Sequence, residues 1–144
     1  MRLTMFTDYT LRVLIYLGNK GGRATVSEIA ENFNVSRNHL VKVVHKMAGA
    51  GYLESVKGKN GGIQLTAEAF AKGLGDIVSD FEPDLHIVEC FDREHNRCPI
   101  MGVCRLEKLL YSARDEFLRA LNRHTLKDLV RNPDPRILKK LKLA

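Results

Sequence analysis

Between Thr25 and Thr66 the apolar pattern changes twice with only a few residues to spare at each change. This crowding constrains the fold more than any other feature of the chain. "TVSEIAENFNV" offers Thr25 as a helix N-cap with Glu28 three residues on, the reciprocal capping-box pattern, while Ile29, Ala30 and Phe33 share one face. Helical spacing restarts after Ser36, a good N-cap, with Leu40, Val43, Val44 and Met47 on the inner side. After Gly49 and Gly51, "YLESVKGKNGGIQLT" reads as strand, turn and strand, and Asn60-Gly61-Gly62 supplies residues that tolerate positive φ in a tight hairpin turn. Two short helices followed at once by a hairpin predict a winged helix-turn-helix, in a chain that is mainly α (α+β).

The flanking segments are helical too. "TDYTLRVLIYLGNKGG" gives a broad apolar surface of Tyr9, Leu11, Val13, Leu14, Ile15 and Leu17, ended by Gly21-Gly22. Thr66 to Phe81 predicts one or two short helices broken at Gly73 and Gly75, with Pro83 as the stop. "RLEKLLYSARDEFLRALNRH" carries Leu106, Leu109, Leu110, Ala113, Phe117, Ala120 and Leu121 on one long stripe. A domain this small offers little to cover such a stripe, so the expectation is pairing with the same helix of a second chain, a homodimer, with packing across its own domain as the alternative. The tail begins with a capped turn at Thr125, breaks at Pro133 and Pro135, and is expected to end basic and mobile. Three regions follow: a DNA-binding domain over 1–82, a cysteine-containing loop over 83–104, and a dimerisation helix with a basic tail over 105–144.

Charge points to the partner. Of the net +6, most lies in residues 1–60, which hold nine Lys or Arg against four acids. A basic folded segment suits a polyanion such as double-stranded DNA, and a two-fold protein suits a near-palindromic operator. Ser36, Arg37, Asn38, His39 and Lys42 would face the major groove from the second helix of the motif, Arg suiting guanine, Asn adenine and Lys phosphate. Lys57, Lys59 and Asn60 would form the wing tip, where small neighbours permit approach to phosphate or the minor groove. No apolar run reaches the roughly 18 residues of a spanning helix, and the N-terminus shows no secretion signal, so a cytoplasmic protein without membrane contact is expected.

All three cysteines fall in "CFDREHNRCPIMGVC", Cys90, Cys98 and Cys104, separated by seven and then five residues. An odd count rules out a closed set of internal disulfides, and thiolates clustered in a reducing compartment suit soft metals. The readings open on the residues alone are an iron-sulfur cluster with a weaker fourth ligand, a Cys3His zinc site completed by His86 or His95, a thiol redox switch, and three unrelated thiols. An enzyme is not expected: there is no P-loop, HExxH or hydrolase elbow, and no motif pairs a cysteine with a histidine base.

The opening "LTMFTDYTLRVLIYL", the segment "SEIAENFNVSRNHLVKVVHKMAGAGYLESVKGKNGG", the following "LGDIV" and three cysteines before a long helix together resemble the bacterial iron-sulfur winged-helix regulators, over nearly the whole chain. The resemblance implies a transcriptional repressor holding an iron-sulfur cluster on Cys90, Cys98 and Cys104. In the cluster-assembly branch a histidine ligand follows the last cysteine by three residues; Glu107 stands there in this chain. The nitric oxide-sensing branch fits better. It implies a [4Fe-4S] rather than [2Fe-2S] cluster, Asp8 of the partner subunit as fourth ligand, and nitric oxide as a signal whose nitrosylation of the cluster releases DNA and derepresses nitrosative-stress genes. Asp8 also has an ordinary reading, as an acid favoured at a helix start or paired with Arg12 one turn on. A cluster reporting iron or redox status, and a structural zinc, remain the alternatives.

Overall fold

A computed structural model describes residues 2–144. Helix α1, Met5–Lys20, starts at Thr4, whose side chain accepts from the Thr7 N–H, and stops at Gly21, left-handed with φ +67°. Helix α2, Val26–Phe33, carries the full capping box of Thr25 and Glu28. Its C-cap, Asn34, takes φ +51°, which turns the chain at once into α3, Arg37–Gly49, capped by Ser36. The three helices enclose one core, in which Val13, Leu14, Leu17, Ile29, Leu40, Val43 and Met47 are all but inaccessible to solvent. Burial of each such side chain stabilises the fold by about 1.5–3 kcal/mol. The polar side of the same junction is equally organised: Tyr16 Oη donates to Glu28 at 2.7 Å, Lys20 pairs with Glu28, and Asn32 Nδ2 donates to Tyr16 Oη.

Strands β1, Leu53–Val56, and β2, Gly62–Leu65, pair antiparallel with Leu53 opposite Leu65. The predicted wing is present, but its glycines act differently. Positive φ falls on Gly58 (+114°), while the tip closes by a Gly61 N–H donated to Gly58 O at 2.9 Å. Gly61 and Gly62 serve close approach instead: a Cβ on Gly62 would lie 2.7 Å from Ala24 O, because Ala24 bridges Ile63 by two backbone bonds of 2.9 and 3.0 Å. That third strand-like segment is a tertiary effect invisible to a local reading of the turn.

Helices α4, Ala67–Ala71, and α5, Leu74–Phe81, follow, and the chain breaks at Gly73 as expected. It does not break at Gly75. This residue lies inside α5, where a Cβ would stand 2.3 Å from Leu118 O of α6, Arg105–Asn122. Asn122 completes the joint, accepting from the Asp76 N–H and donating to the Asp76 carboxylate. Only one side of α6 is covered by this packing. Leu106 and Leu109 remain 58% and 66% exposed.

The tail departs from expectation. Rather than a mobile extension, residues after Thr125 form α7, Leu126–Val130, which packs on α1, and α8, Pro135–Lys140, with Leu126 fully buried and Leu141 7% exposed in the core. Its basic residues, Lys139 and Lys140, are exposed on α8, which has no buried residue of its own and is followed by the buried Leu141.

Candidate DNA-binding face and cysteine site

Helix α3 separates its two faces cleanly. Leu40, Val43, Val44 and Met47 are buried, while Arg37, Asn38, His39 and Lys42 are exposed together with the capping Ser36. Arg37 Nε donates to Ser27 Oγ of α2 at 2.9 Å, so one of its donors holds the guanidinium in place and the rest point outward. Val41, 41% exposed on the same face, went unmarked in the sequence because an apolar residue there breaks the polar pattern; its methyls suit a thymine methyl. At the wing, Lys57, Lys59 and Asn60 are exposed at the tip. Arg23 joins them, its Nη1 donating to Asn60 O at 3.4 Å across the Ala24–Ile63 bridge. Sequence separation hid this fourth polar group of the wing.

The cysteine loop runs from the end of α5 to Cys104, which stands as the N-cap of α6. Its anchor is Phe91, in a short 3-10 turn at Glu89–Phe91, stacked on Tyr111 of α6 at 4.0 Å between ring centres and 3° between planes. Arg114 lies over both rings. Arg97 N–H donates to Glu89, and Cys98 N–H to Asn96 Oδ1 at 2.7 Å, which shapes the middle of the loop. Gly102, at φ +81°, donates its N–H to Glu107 Oε2 at 3.0 Å. Glu107 is 8% exposed, and among the described residues no cation comes within ion-pair distance of it.

All three cysteines are half-buried and none is in a disulfide. Desolvation pushes the Cys90 thiol up from its ordinary value; the negative charge of Glu107 pushes the same way, and so do Cys98 and Cys104, against a backbone hydrogen bond at Cys90. The three thiols and Glu107 therefore share one electrostatic neighbourhood. They do not converge on a point: among the described residues no group of three or more His, Cys, Asp or Glu is placed to hold a metal ion. The donor chemistry nevertheless fits a soft metal cluster, since three unpaired cysteines in one loop supply soft thiolate ligands once deprotonated. His86 and His95 are engaged with Asp84 and Asp92 instead of the thiols. Asp8 is paired with Arg12 at 2.7 Å on α1, and Arg12 also lies over the Tyr9 and Phe33 rings.

Comparison with known proteins decides what class of molecule this is. The sequence pattern of Rrf2, described as iron-dependent transcriptional regulator, matches residues 3–132. The chain belongs to the Rrf2 family. It is 41% identical over 145 residues, 99% of either chain, to the HTH-type transcriptional regulator NsrR of Bacillus subtilis strain 168, and 42% identical over 136 residues, 93% of this chain and 91% of the relative, to that of Shouchella clausii. Among solved structures, CymR, the global cysteine regulator of B. subtilis, superimposes with a TM-score of 0.72 at 27% identity over 93% of this chain and 99% of CymR. The fold is also that of T. potens IscR, with a TM-score of 0.72 at 20% identity over 94% of this chain and 90% of that one. This Rrf2 protein is a winged-helix DNA-binding transcriptional regulator and not an enzyme. Among the described residues no helix is long and apolar enough to cross a membrane.

Proposed function

We propose that this Rrf2 protein is a cytoplasmic homodimeric repressor that senses nitric oxide through an iron-sulfur cluster, [4Fe-4S] rather than [2Fe-2S], on Cys90, Cys98 and Cys104. The observation that carries the reading is the loop itself: three unpaired, half-buried thiols within fifteen residues, in a chain whose relatives bear the name NsrR. When bound, the cluster supplies iron open to attack by a small neutral ligand. Asp8 of the partner subunit is the fourth ligand in this reading, which requires that carboxylate to leave Arg12.

The rest of the device lies in the chain. Leu106, Leu109, Ala113 and Phe117 give α6 an apolar stripe for a second copy, beside a cavity of about 520 Å³ whose lining mixes apolar Leu3, Leu85, Ile87 and Phe117 with charged Arg2, Glu82, Asp84 and Arg114. The start of α1 touches the DNA-reading helix, because Met5, Phe6 and Tyr9 share an apolar hollow with His39, Lys42 and Val43. A change at Asp8 therefore acts close to residues that face the major groove. Any group that binds more tightly in the DNA-competent arrangement strengthens DNA binding by the same free energy, and its loss releases DNA.

Purification without oxygen, iron and sulfide counting, and nitric oxide titration against operator DNA test the reading. A coloured protein with iron and sulfide that releases DNA on titration is expected. A colourless protein holding one zinc and indifferent to nitric oxide overturns it. The family description as iron-dependent favours a second reading, in which the same cluster reports iron or redox status; DNA release by iron depletion and not by nitric oxide selects that one. On the DNA side, replacing Lys57 or Lys59 should weaken binding to all sequences and reduce the salt slope by about one per residue, whereas Arg37→Ala or Asn38→Ala should relax sequence preference. Equal behaviour of all four in a salt titration against matched and scrambled duplexes would refute this division.

A further inference from the structure

One cation at the wing comes from a segment outside the hairpin. Arg23 precedes Ala24, whose N–H donates to Ile63 O at 3.0 Å and whose carbonyl accepts the Ile63 N–H at 2.9 Å. Ala24 is 3% exposed, so its neighbour turns outward, as alternation along an extended segment requires; Arg23 is exposed. From this fixed backbone the side chain runs toward the turn, where Nη1 donates to Asn60 O at 3.4 Å, the long end of the range for such a bond. The remaining guanidinium donors are left for a ligand. Among the described residues no carboxylate comes within ion-pair distance of Arg23, Lys57 or Lys59.

The two lysines are placed differently. They flank Gly58, at φ +114°, on the turn itself, which is closed by the Gly61 N–H donated to Gly58 O. A lysine there is a point charge on a flexible stem. A planar guanidinium can keep one donor on Asn60 O and turn others to the oxygens of a phosphate. Gly22 on one side and Gly61-Gly62 on the other put no side chain in the way.

We propose that Arg23 is a further DNA contact of this protein, a phosphate clamp at the side of the wing, held in direction by Asn60 O and in place by the Ala24–Ile63 bridge. It positions the wing on the duplex and reads no base. The inference rests on the reading that the wing touches DNA, and needs nothing from the cysteine loop.

The test uses the full chain with Arg23→Gln, Arg23→Lys and, as a control for the wing, Lys59→Gln. Each is titrated over a range of salt with a mixed-sequence duplex and with a duplex selected by the wild type from a random pool. Gln keeps an N–H donor for Asn60 O and removes the charge. It is expected to weaken binding several-fold on both duplexes and to lower the slope of log affinity against log salt by about 0.9, the value for one phosphate. Lys keeps the charge, so the wild-type slope is expected with part of the affinity lost, because an ammonium lacks the fork that serves Asn60 and a phosphate together. Both positions are exposed, and urea midpoints should stay at the wild-type value. Wild-type affinity and slope in Arg23→Gln overturn the proposal and leave Arg23 a brace of the turn. A Lys variant equal to the Gln variant, or equal to the wild type, also overturns it, as does a loss confined to the selected duplex, which would make Arg23 a base reader. If Lys59→Gln loses affinity and slope while Arg23→Gln does not, the proposal fails and the wing reading stands; if neither loses, both fail.

Discussion

The helix-turn-helix and the cysteine loop are built on opposite principles. From Thr4 to Ala50 every helix has a capping residue, the inner faces are sealed against solvent, and even the polar groups at the α1–α2 joint are bonded to one another. Between 83 and 104 a single side chain, Phe91, is buried, and the loop is held by its stack on Tyr111, a few short-range bonds and the Glu107 carboxylate. The helix-turn-helix is thus complete within its own chain. The cysteine half has an anchor but no core, which is the physical condition for a segment whose order is set by what it binds.

The contrast is broken most severely by cutting the sealed half. Leu40 is 1% exposed at the centre of α3. Leu40→Ala should lower stability by about 2–5 kcal/mol in urea unfolding, since the site is enclosed on all sides and cannot collapse onto the gap. A loss below about 1 kcal/mol would mean that the helix-turn-helix is as loosely packed as the loop.

Acid tests the polar side of the same joint. Burial raises the Glu28 carboxyl, but bonds from Lys20, Tyr16 and the Thr25 N–H outweigh it and hold it below its ordinary value near 4.5. A depressed carboxyl contributes stability that is present above the ordinary value and is lost as pH falls through the folded one. Wild type should therefore weaken in acid from about pH 4.5 downward, and Glu28→Gln should start weaker at neutral pH and show a shallower slope in that range. Parallel pH profiles would remove Glu28 from the account.

How much of this was legible in the sequence depends on how local the cause is. Thr25 with Glu28, and Ser36, act within one helical turn, so the two motif helices were readable residue by residue. Glycines whose reason is another segment were not: Gly62 makes room for Ala24 and Gly75 for Leu118, yet both look like ordinary breakers in the string. The tail misled in the opposite sense, because its lysines advertise solvent while Leu126 and Leu141 enter the core. Around the cysteines, spacing and chemistry could be read, and so could the fact that Glu107 is not a histidine. Its burial could not, since a glutamate three residues into a helix is ordinarily a solvated acid.

Phe91 marks the boundary between the two regimes. Phe91→Ala should lower global stability by no more than about 1 kcal/mol, because the loop opens without the helix-turn-helix, yet amides from 84 to 104 should lose their hydrogen-exchange protection. Loss of protection spread equally over α2 and α3 would show that the loop and the motif unfold as one unit.

The smallest effect on folding is expected where the functional effect is largest. Cys90, Cys98 and Cys104 are half-buried in the loop and form no disulfide, so nothing in the core rests on them. Each Cys→Ala replacement in the metal-free chain should leave the unfolding midpoint within the range of surface substitutions, about 0.5 kcal/mol, while abolishing iron and sulfide uptake. The two readouts separate because the chain folds its helix-turn-helix on its own contacts and leaves the thiols in a region it does not pack. Gross unfolding of all three variants would tie the thiols to the core and erase the difference between the halves.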